Sequence, residues 1–162
     1  MILGNQVEWA LHCMMILAGM PEGVQVPAKY LAEFHGVPKE YLSKALQSLA
    51  AAGLVHTSLG PKGGYSLARA ADKINMLEVV EAVEGRQNTF NCQEIRRNNP
   101  CEPKLKKMKL PVCSIAGAMY EADNAWRDVL RKKKLSELAK EIQISVDEKI
   151  LEKSAEWFAE KI

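Results

Sequence analysis

Three of the four cysteines, Cys92, Cys101 and Cys113, are spaced C-x8-C-x11-C in a stretch rich in Asn, Pro and Lys. Buried structural cysteines normally sit in apolar segments, so packing explains these three poorly. Cys13, by contrast, has apolar neighbours in a helical pattern and is expected in the core. Arg96, Arg97, Lys104, Lys106, Lys107 and Lys109 lie close to the three thiols in sequence. Such cations lower a thiol pKa and offset the negative charge of a thiolate-bound centre. The spacing has no C-x2-C pair and fits no zinc finger. On spacing alone, an iron–sulfur or other metal site and a set of free thiols stay equally open.

Glu8 and His12 lie one helical turn apart, and His35 falls in the short link between two helical segments. Taken singly, each has a simple explanation. An acidic residue suits a helix N-terminus, and a histidine in such a link is commonly just hydrogen-bonded. Enzyme chemistry finds no support: there is no C-x-x-C, no phosphate-cradling glycine loop between a strand and a helix, and no nucleophile elbow. The chain reads as a non-enzyme.

The elements that must position these groups are mainly helical, with one small β-hairpin. Residues 5–19 carry Val7, Leu11, Met14, Met15 and Ala18 at helical spacing, closed by Gly19 and Pro21. Pro27 opens a short second helix with Tyr30, Leu31 and Phe34 facing inward. His35-Gly36-Val37 forms the turn, and Pro38 opens a third helix with Leu42, Ala45, Leu46 and Leu49 on one face, stopped by Gly53. Helix, glycine turn, helix is the helix-turn-helix pattern. Two strand-like runs follow, 54–57 and 65–67, joined by Leu59-Gly60-Pro61-Lys62-Gly63-Gly64. A glycine hairpin in that position is a wing.

Asn75 is placed to cap a fourth helix, 76–84, presenting Leu77, Val80 and Val83. Residues 85–112 break the pattern. A long helix is expected over about 113–133, with the stripe Ile115, Met119, Ala122, Trp126 and Val129 in steps of four and three. So regular a stripe suggests a helix that pairs with its own copy. Ser136 and Ser145 are candidate caps of two final helices, the last carrying Trp157, Phe158 and Ile162. The division is then 1–84 winged helix-turn-helix, 85–112 cysteine loop, and 113–162 dimerisation helix with C-terminal helices.

With the third helix buried through its leucines, its other face shows Lys39, Glu40, Ser43, Lys44 and Gln47. Lys and Gln suit base edges, while Ser and Lys suit phosphates. In the hairpin, Lys62 and the amides of Gly63 and Gly64 are candidate phosphate contacts. The formal net charge is only +2 over 162 residues, so any nucleic-acid surface must come from local clustering. No apolar run reaches the ~20 residues of a membrane span, and residues 1–9 show neither a basic leader nor a cleavage site. A cytoplasmic protein without a membrane partner is expected.

The order of elements resembles the bacterial IscR/NsrR/RsrR superfamily of winged-helix regulators over roughly residues 3–140. The likeness rests on the wing segment Gly60-Pro61-Lys62-Gly63-Gly64-Tyr65, the run Leu-Glu-Val-Val-Glu-Ala-Val at 77–83, and a cysteine loop before a long helix. It is greatest to the RsrR-type redox regulators, in Val7-Glu8-Trp9-Ala10-Leu11-His12-Cys13, Leu31-Ala32-Glu33-Phe34-His35 and Cys92-Gln93-Glu94-Ile95-Arg96. The resemblance implies a homodimer on a double-stranded DNA operator, switched by a 2Fe–2S cluster that senses redox state or nitric oxide. It implies Glu8 and His35 of one subunit as ligands. Cys113 and Cys101 of the other complete the set, with Cys92 a further candidate. The common members space their cysteines closely and evenly, and this chain does not. Replacing thiolate by His raises a cluster's potential. Trp9, next to Glu8, is a candidate relay to the DNA surface. A sample exposed to air can be apo. The alternative within the same family is a cluster-free regulator that answers a thiol signal or a partner protein.

Overall fold

The computed structural model describes residues 3–60 and 63–162. Its chain divides into two compact units, one of residues up to Arg86 together with Leu130–Ile162, the other Gln87–Val129. In the first unit α1 (Asn5–Gly19), α2 (Ala28–His35), α3 (Lys39–Ala51), β1 (Val55–Thr57), β2 (Tyr65–Leu67) and α4 (Met76–Glu84) follow in chain order. After the second unit's helix, α5 (Ser114–Lys132), the chain continues with α6 (Leu135–Ser145) and α7 (Glu148–Lys161).

The leucine stripe of α3 behaves as its spacing predicts. Leu42, Leu46 and Leu49 are fully buried and Ala45 nearly so, packed with Met14, Cys13 and Leu31. Each fully buried leucine of this kind is worth roughly 1.5–3 kcal/mol. Burial pushes the Cys13 thiol up to about 12, so it stays protonated as a small core hydrophobe. Helix α2 ends on Gly36, whose φ of 63° and ψ of 33° lie in the left-handed region. There a Cβ costs about 1–2 kcal/mol. The Val37 N–H then donates to the Ala32 carbonyl at 3.0 Å, closing the turn into α3.

The hairpin pairs Val55 with Leu67 and Thr57 with Tyr65. Its second strand has a further neighbour: Val26 and Tyr65 exchange both backbone hydrogen bonds at 2.9 Å. Gly64 permits this approach, because a Cβ there would stand 2.5 Å from the Val26 carbonyl carbon. The wing is thus tied to the chain just before α2.

Helix α4 starts with a full capping box. Asn75 Oδ1 accepts from Glu78 N–H at 3.1 Å, and Glu78 Oε2 accepts from Asn75 N–H at 2.9 Å. The last two helices are capped differently from the serine expectation. The Glu137 carboxylate accepts from Lys134 N–H at 3.3 Å, and Asp147 Oδ1 accepts from Lys149 N–H at 2.9 Å. Ser136 lies inside α6 and Ser145 is its last residue. Leu135 and Phe158 are buried in the same core as α1 and α3. Phe34, expected to face that core, is 37% exposed, and its ring rests on Trp157 and Phe158 of α7.

In the second unit two short 3-10 turns, Ile95–Asn98 and Pro103–Lys106, precede α5. Along α5 the inner positions are Ala116, Asp123 and Arg127. Arg127 Nε donates to Asp123 at 3.0 Å, and its Nη2 donates to the Gln87 carbonyl. Ile115 and Val129 of the regular stripe are 71% and 63% exposed, with Met119 and Ala122 exposed beside them. Among the described residues no helix is long and apolar enough to cross a membrane.

Candidate DNA interface and sensing residues

On α3, Lys39, Ser43 and Gln47 recur at helical spacing with Lys44 beside them. Lys39, Lys44 and Gln47 are exposed and Ser43 half-buried, opposite the buried leucines. Tyr41 shares this outer surface at 55% exposure, with Lys44 Nζ 5.7 Å from its ring centre. A groove of about 520 Å³ joins the start of α2, Lys39 and the wing. Lys29, Thr57 and Ser58 line it together with Lys39 and Gly63. Lys29, Thr57 and Ser58 were missed in the sequence because only the Val26–Tyr65 pairing brings α2 and the wing together. The Gly63 N–H is already engaged, donating to the Gly60 carbonyl at 3.0 Å. Gly63 therefore contributes shape to this groove rather than a free donor. Lys62 lies outside the described residues.

Glu8 is exposed on α1 and shares a small surface pocket with Leu11 and His12. Trp9, next to it, is half-buried and packs against the core. At the end of α2 the His35 ring stands 5.6 Å from the His12 ring and 5.2 Å from Phe34, centre to centre. His35 Nε2 is buried and has no hydrogen-bond partner among the described residues. Burial, and then the neighbouring His12, hold the His35 pKa below its usual 6.5. A neutral imidazole with an unused nitrogen is the form that binds metal.

In the second unit, Cys113 sits at the N-terminal edge of α5. The backbone N–H groups of Ala116 and Ile115 hold its thiol below the ordinary range, and Arg96 adds to this. Among the loop cations, Arg96 is the one that reaches Cys113. Arg96 forms a two-pronged pair with Glu94, at 2.5 and 2.7 Å, and donates to the Pro111 carbonyl at 2.7 Å. Cys92 Sγ accepts from Glu94 N–H at 3.4 Å, and both Cys92 and Cys113 lie within electrostatic reach of the Arg96 guanidinium. Cys101 is exposed, its N–H donating to Asn99 Oδ1 at 2.9 Å. The loop thus gathers Cys92 and Cys113 about one cation, where the resemblance pairs Cys101 with Cys113. Among the described residues, no three His, Cys, Asp or Glu side chains are grouped to hold a metal ion.

The Rrf2 family model, described as an iron-dependent transcriptional regulator, matches residues 3–141. The chain belongs to the Rrf2 family. It is 31% identical over 140 residues to the HTH-type transcriptional regulator NsrR of Bacillus subtilis, covering 86% of this chain and 91% of that one. The T. potens IscR structure shares the fold at a TM-score of 0.68 and 20% identity, covering 91% of this chain and 93% of that one. The oxidized form of Staphylococcus aureus CymR aligns at a TM-score of 0.61 and 25% identity, covering 91% of this chain and 99% of that one. This Rrf2 chain is a winged-helix, DNA-binding transcription regulator. The exposed face of α3 belongs to the helix-turn-helix of that fold, and the groove lies beside its wing.

Proposed function

We propose that this Rrf2 regulator acts as a homodimer whose operator affinity is switched by a 2Fe–2S cluster, in the manner of the RsrR-type members. The observation that carries the reading is His35 Nε2, buried, neutral and unbonded at the elbow of the helix-turn-helix. An iron ion is a partner that would satisfy it. Glu8 and His35 of one subunit and two cysteines of the other would hold the cluster. Cys113 and Cys101 form the pair the resemblance implies, and Cys92 is the further candidate. The donor set fits: one carboxylate, one neutral imidazole, and the Cys113 thiol already biased toward thiolate. When bound, the cluster supplies one-electron redox chemistry.

The chain's own part is mechanical. His35 is the last residue of α2, and only Gly36, Val37 and Pro38 separate it from α3. A ligand at Nε2 fixes the ring, and through the turn the direction of α3. Lys39, Ser43, Lys44 and Gln47 then meet the operator in one orientation, with Lys62 and Gly63 on the wing. Trp9, packed on the core beside Glu8, relays the same state to the DNA-binding surface. The exposed stripe of α5 joins the two subunits.

A second reading keeps the regulator and dispenses with the metal. It is favoured by the depressed Cys113 thiol and by the likeness to CymR in its oxidized form. In it, the thiols about Arg96 take the signal directly. Anaerobic purification with a visible spectrum and an iron and sulfide assay separates the two. The cluster reading expects a coloured dimer that loses its iron in Glu8→Ala, His35→Ala and Cys113→Ala. A colourless wild type that still binds DNA leaves the winged-helix regulator standing and moves the signal to the thiols, another ligand or a partner protein.

A further inference from the structure

His12 and His35 belong to different helices, α1 and α2, yet their ring centres stand 5.6 Å apart with the planes tilted by 58°. Two imidazoles bound to one tetrahedral zinc, at Zn–N distances of about 2.0–2.1 Å, have their centres about 5 Å apart. Rotation about Cβ–Cγ turns the nitrogens of a histidine while barely moving its ring centre. The spacing of this pair is therefore close to that of a shared ion, whichever way the rings are turned. His12 is exposed and has room to turn, while His35 Nε2 is buried with no hydrogen-bond partner among the described residues. A third ligand is one helical turn from His12. Glu8 lies four residues earlier on α1 and shares a surface pocket with His12. Glu8 is exposed, and among the described residues no Lys or Arg lines that pocket. As they stand, no three such side chains among the described residues are grouped to hold a metal ion. Two are already at the right spacing, and Glu8 has to swing in to join them.

We propose that Glu8, His12 and His35 of a single chain form a site for one divalent transition-metal ion such as zinc, with water in the fourth position. Imidazole nitrogens and a carboxylate oxygen are ligands that zinc accepts, and three protein ligands with one open position is a common zinc arrangement. The ion ties α1 to the last residue of α2, at the elbow of the helix-turn-helix. This site differs from the proposed cluster site in using His12 and in needing neither the cysteine loop nor a second subunit. The two share Glu8 and His35, so an ion bound here excludes the cluster. The metal-free chain then has two ways of satisfying His35 Nε2.

The test is calorimetric titration of zinc ion alone into the full-length, chelator-treated protein carrying Cys92→Ser, Cys101→Ser and Cys113→Ser, which removes the loop thiols as competing ligands. Saturable binding of one ion per chain is expected, with a raised thermal melt. Binding is expected to weaken about tenfold or more in His12→Gln and in His35→Gln, since loss of even a supporting hydrogen bond commonly costs a metal site that much. Glu8→Gln is expected to weaken it as well, and His56→Gln, which changes the remaining histidine, to leave it unaltered. His12 is exposed, so its variant spares the core, and the melt checks that it is folded. No saturable zinc binding, or parent-like binding in the Glu8, His12 or His35 variant, would overturn the proposal. In the chain with its cysteines, purified without oxygen, His12→Gln is expected to hold as much iron and sulfide as the wild type. Iron lost from that variant would place His12 among the cluster's own ligands and overturn the separate site. A colourless wild type sinks the cluster reading and leaves the zinc titration unaffected.

Discussion

The imidazole of His35 stands 5.6 Å from that of His12, ring centre to ring centre, with its Nε2 buried and unbonded. A buried polar atom without a partner costs roughly 1–3 kcal/mol. The metal-free protein therefore carries this cost at the elbow of its DNA-binding motif, and a ligand at Nε2 relieves it. His35→Leu removes the orphaned atom while keeping an apolar side chain. Denaturant unfolding of the metal-free variant is expected to show stability unchanged or raised by about 1 kcal/mol, while iron content is lost. A clear loss of stability would mean that the ring is bonded in solution.

Gly64 is where the wing meets the chain before α2. A Cβ there would stand 2.5 Å from the Val26 carbonyl carbon and 2.7 Å from Pro27 N, both backbone atoms that cannot swing aside. Gly64→Ala is expected to destabilise by about 1–3 kcal/mol, as overpacking does. It should weaken operator binding further by displacing the wing from Lys29 and Lys39. Thermal melts and operator titrations check the two effects separately.

How much of this was legible in the sequence depends on how local each cause is. The α3 stripe and the Asn75–Glu78 capping box are written within one or two turns of chain, and both are found where the pattern puts them. The caps of α6 and α7 are also local, yet Glu137 and Asp147 fill those roles instead of the serines. A carboxylate competes well for helix N–H groups. Phe34 looked like a core residue because its spacing fits Leu31. Its actual partners, Trp157 and Phe158, are more than a hundred residues away. The cysteine loop was least legible. Arg96, within electrostatic reach of both Cys92 and Cys113, is held by Glu94 and the Pro111 carbonyl, contacts that no periodicity announces.

The DNA face separates two kinds of contact. Lys44→Ala and Gln47→Ala are expected to cost about 1–3 kcal/mol each on the operator and to relax specificity at single positions. Lys29→Ala and Lys39→Ala, which line the groove beside the wing, are expected to weaken all duplexes alike. Each should reduce the salt slope of binding by about 1. Titrations at several salt concentrations distinguish the two classes.

Asp123 gives a pH signature. The Arg127 guanidinium, with help from Thr89, holds its carboxyl below the usual 3.8. A carboxyl depressed in the folded state contributes stability that is present above 3.8 and lost as pH falls through the lower folded value. Acid unfolding of the wild type should show this loss below pH 3.8. Asp123→Asn should be less stable at neutral pH and show a flatter acid limb.

The exposed stripe of α5 predicts self-association. Ile115→Glu combined with Val129→Glu places charge on side chains 71% and 63% exposed in the single chain. Sedimentation should show a folded monomer with reduced operator affinity. An unchanged dimer would place the interface elsewhere.

The most direct test of the proposed switch is operator affinity measured without oxygen on one cluster-loaded preparation, oxidised and then reduced, beside His35→Ala. The wild type is expected to differ about tenfold or more between the two states, about 1.4 kcal/mol of coupling, and the variant to show one affinity throughout. Equal wild-type affinities in both states, with the cluster intact by its spectrum, would contradict the switch and leave a DNA-binding Rrf2 regulator that takes its signal elsewhere.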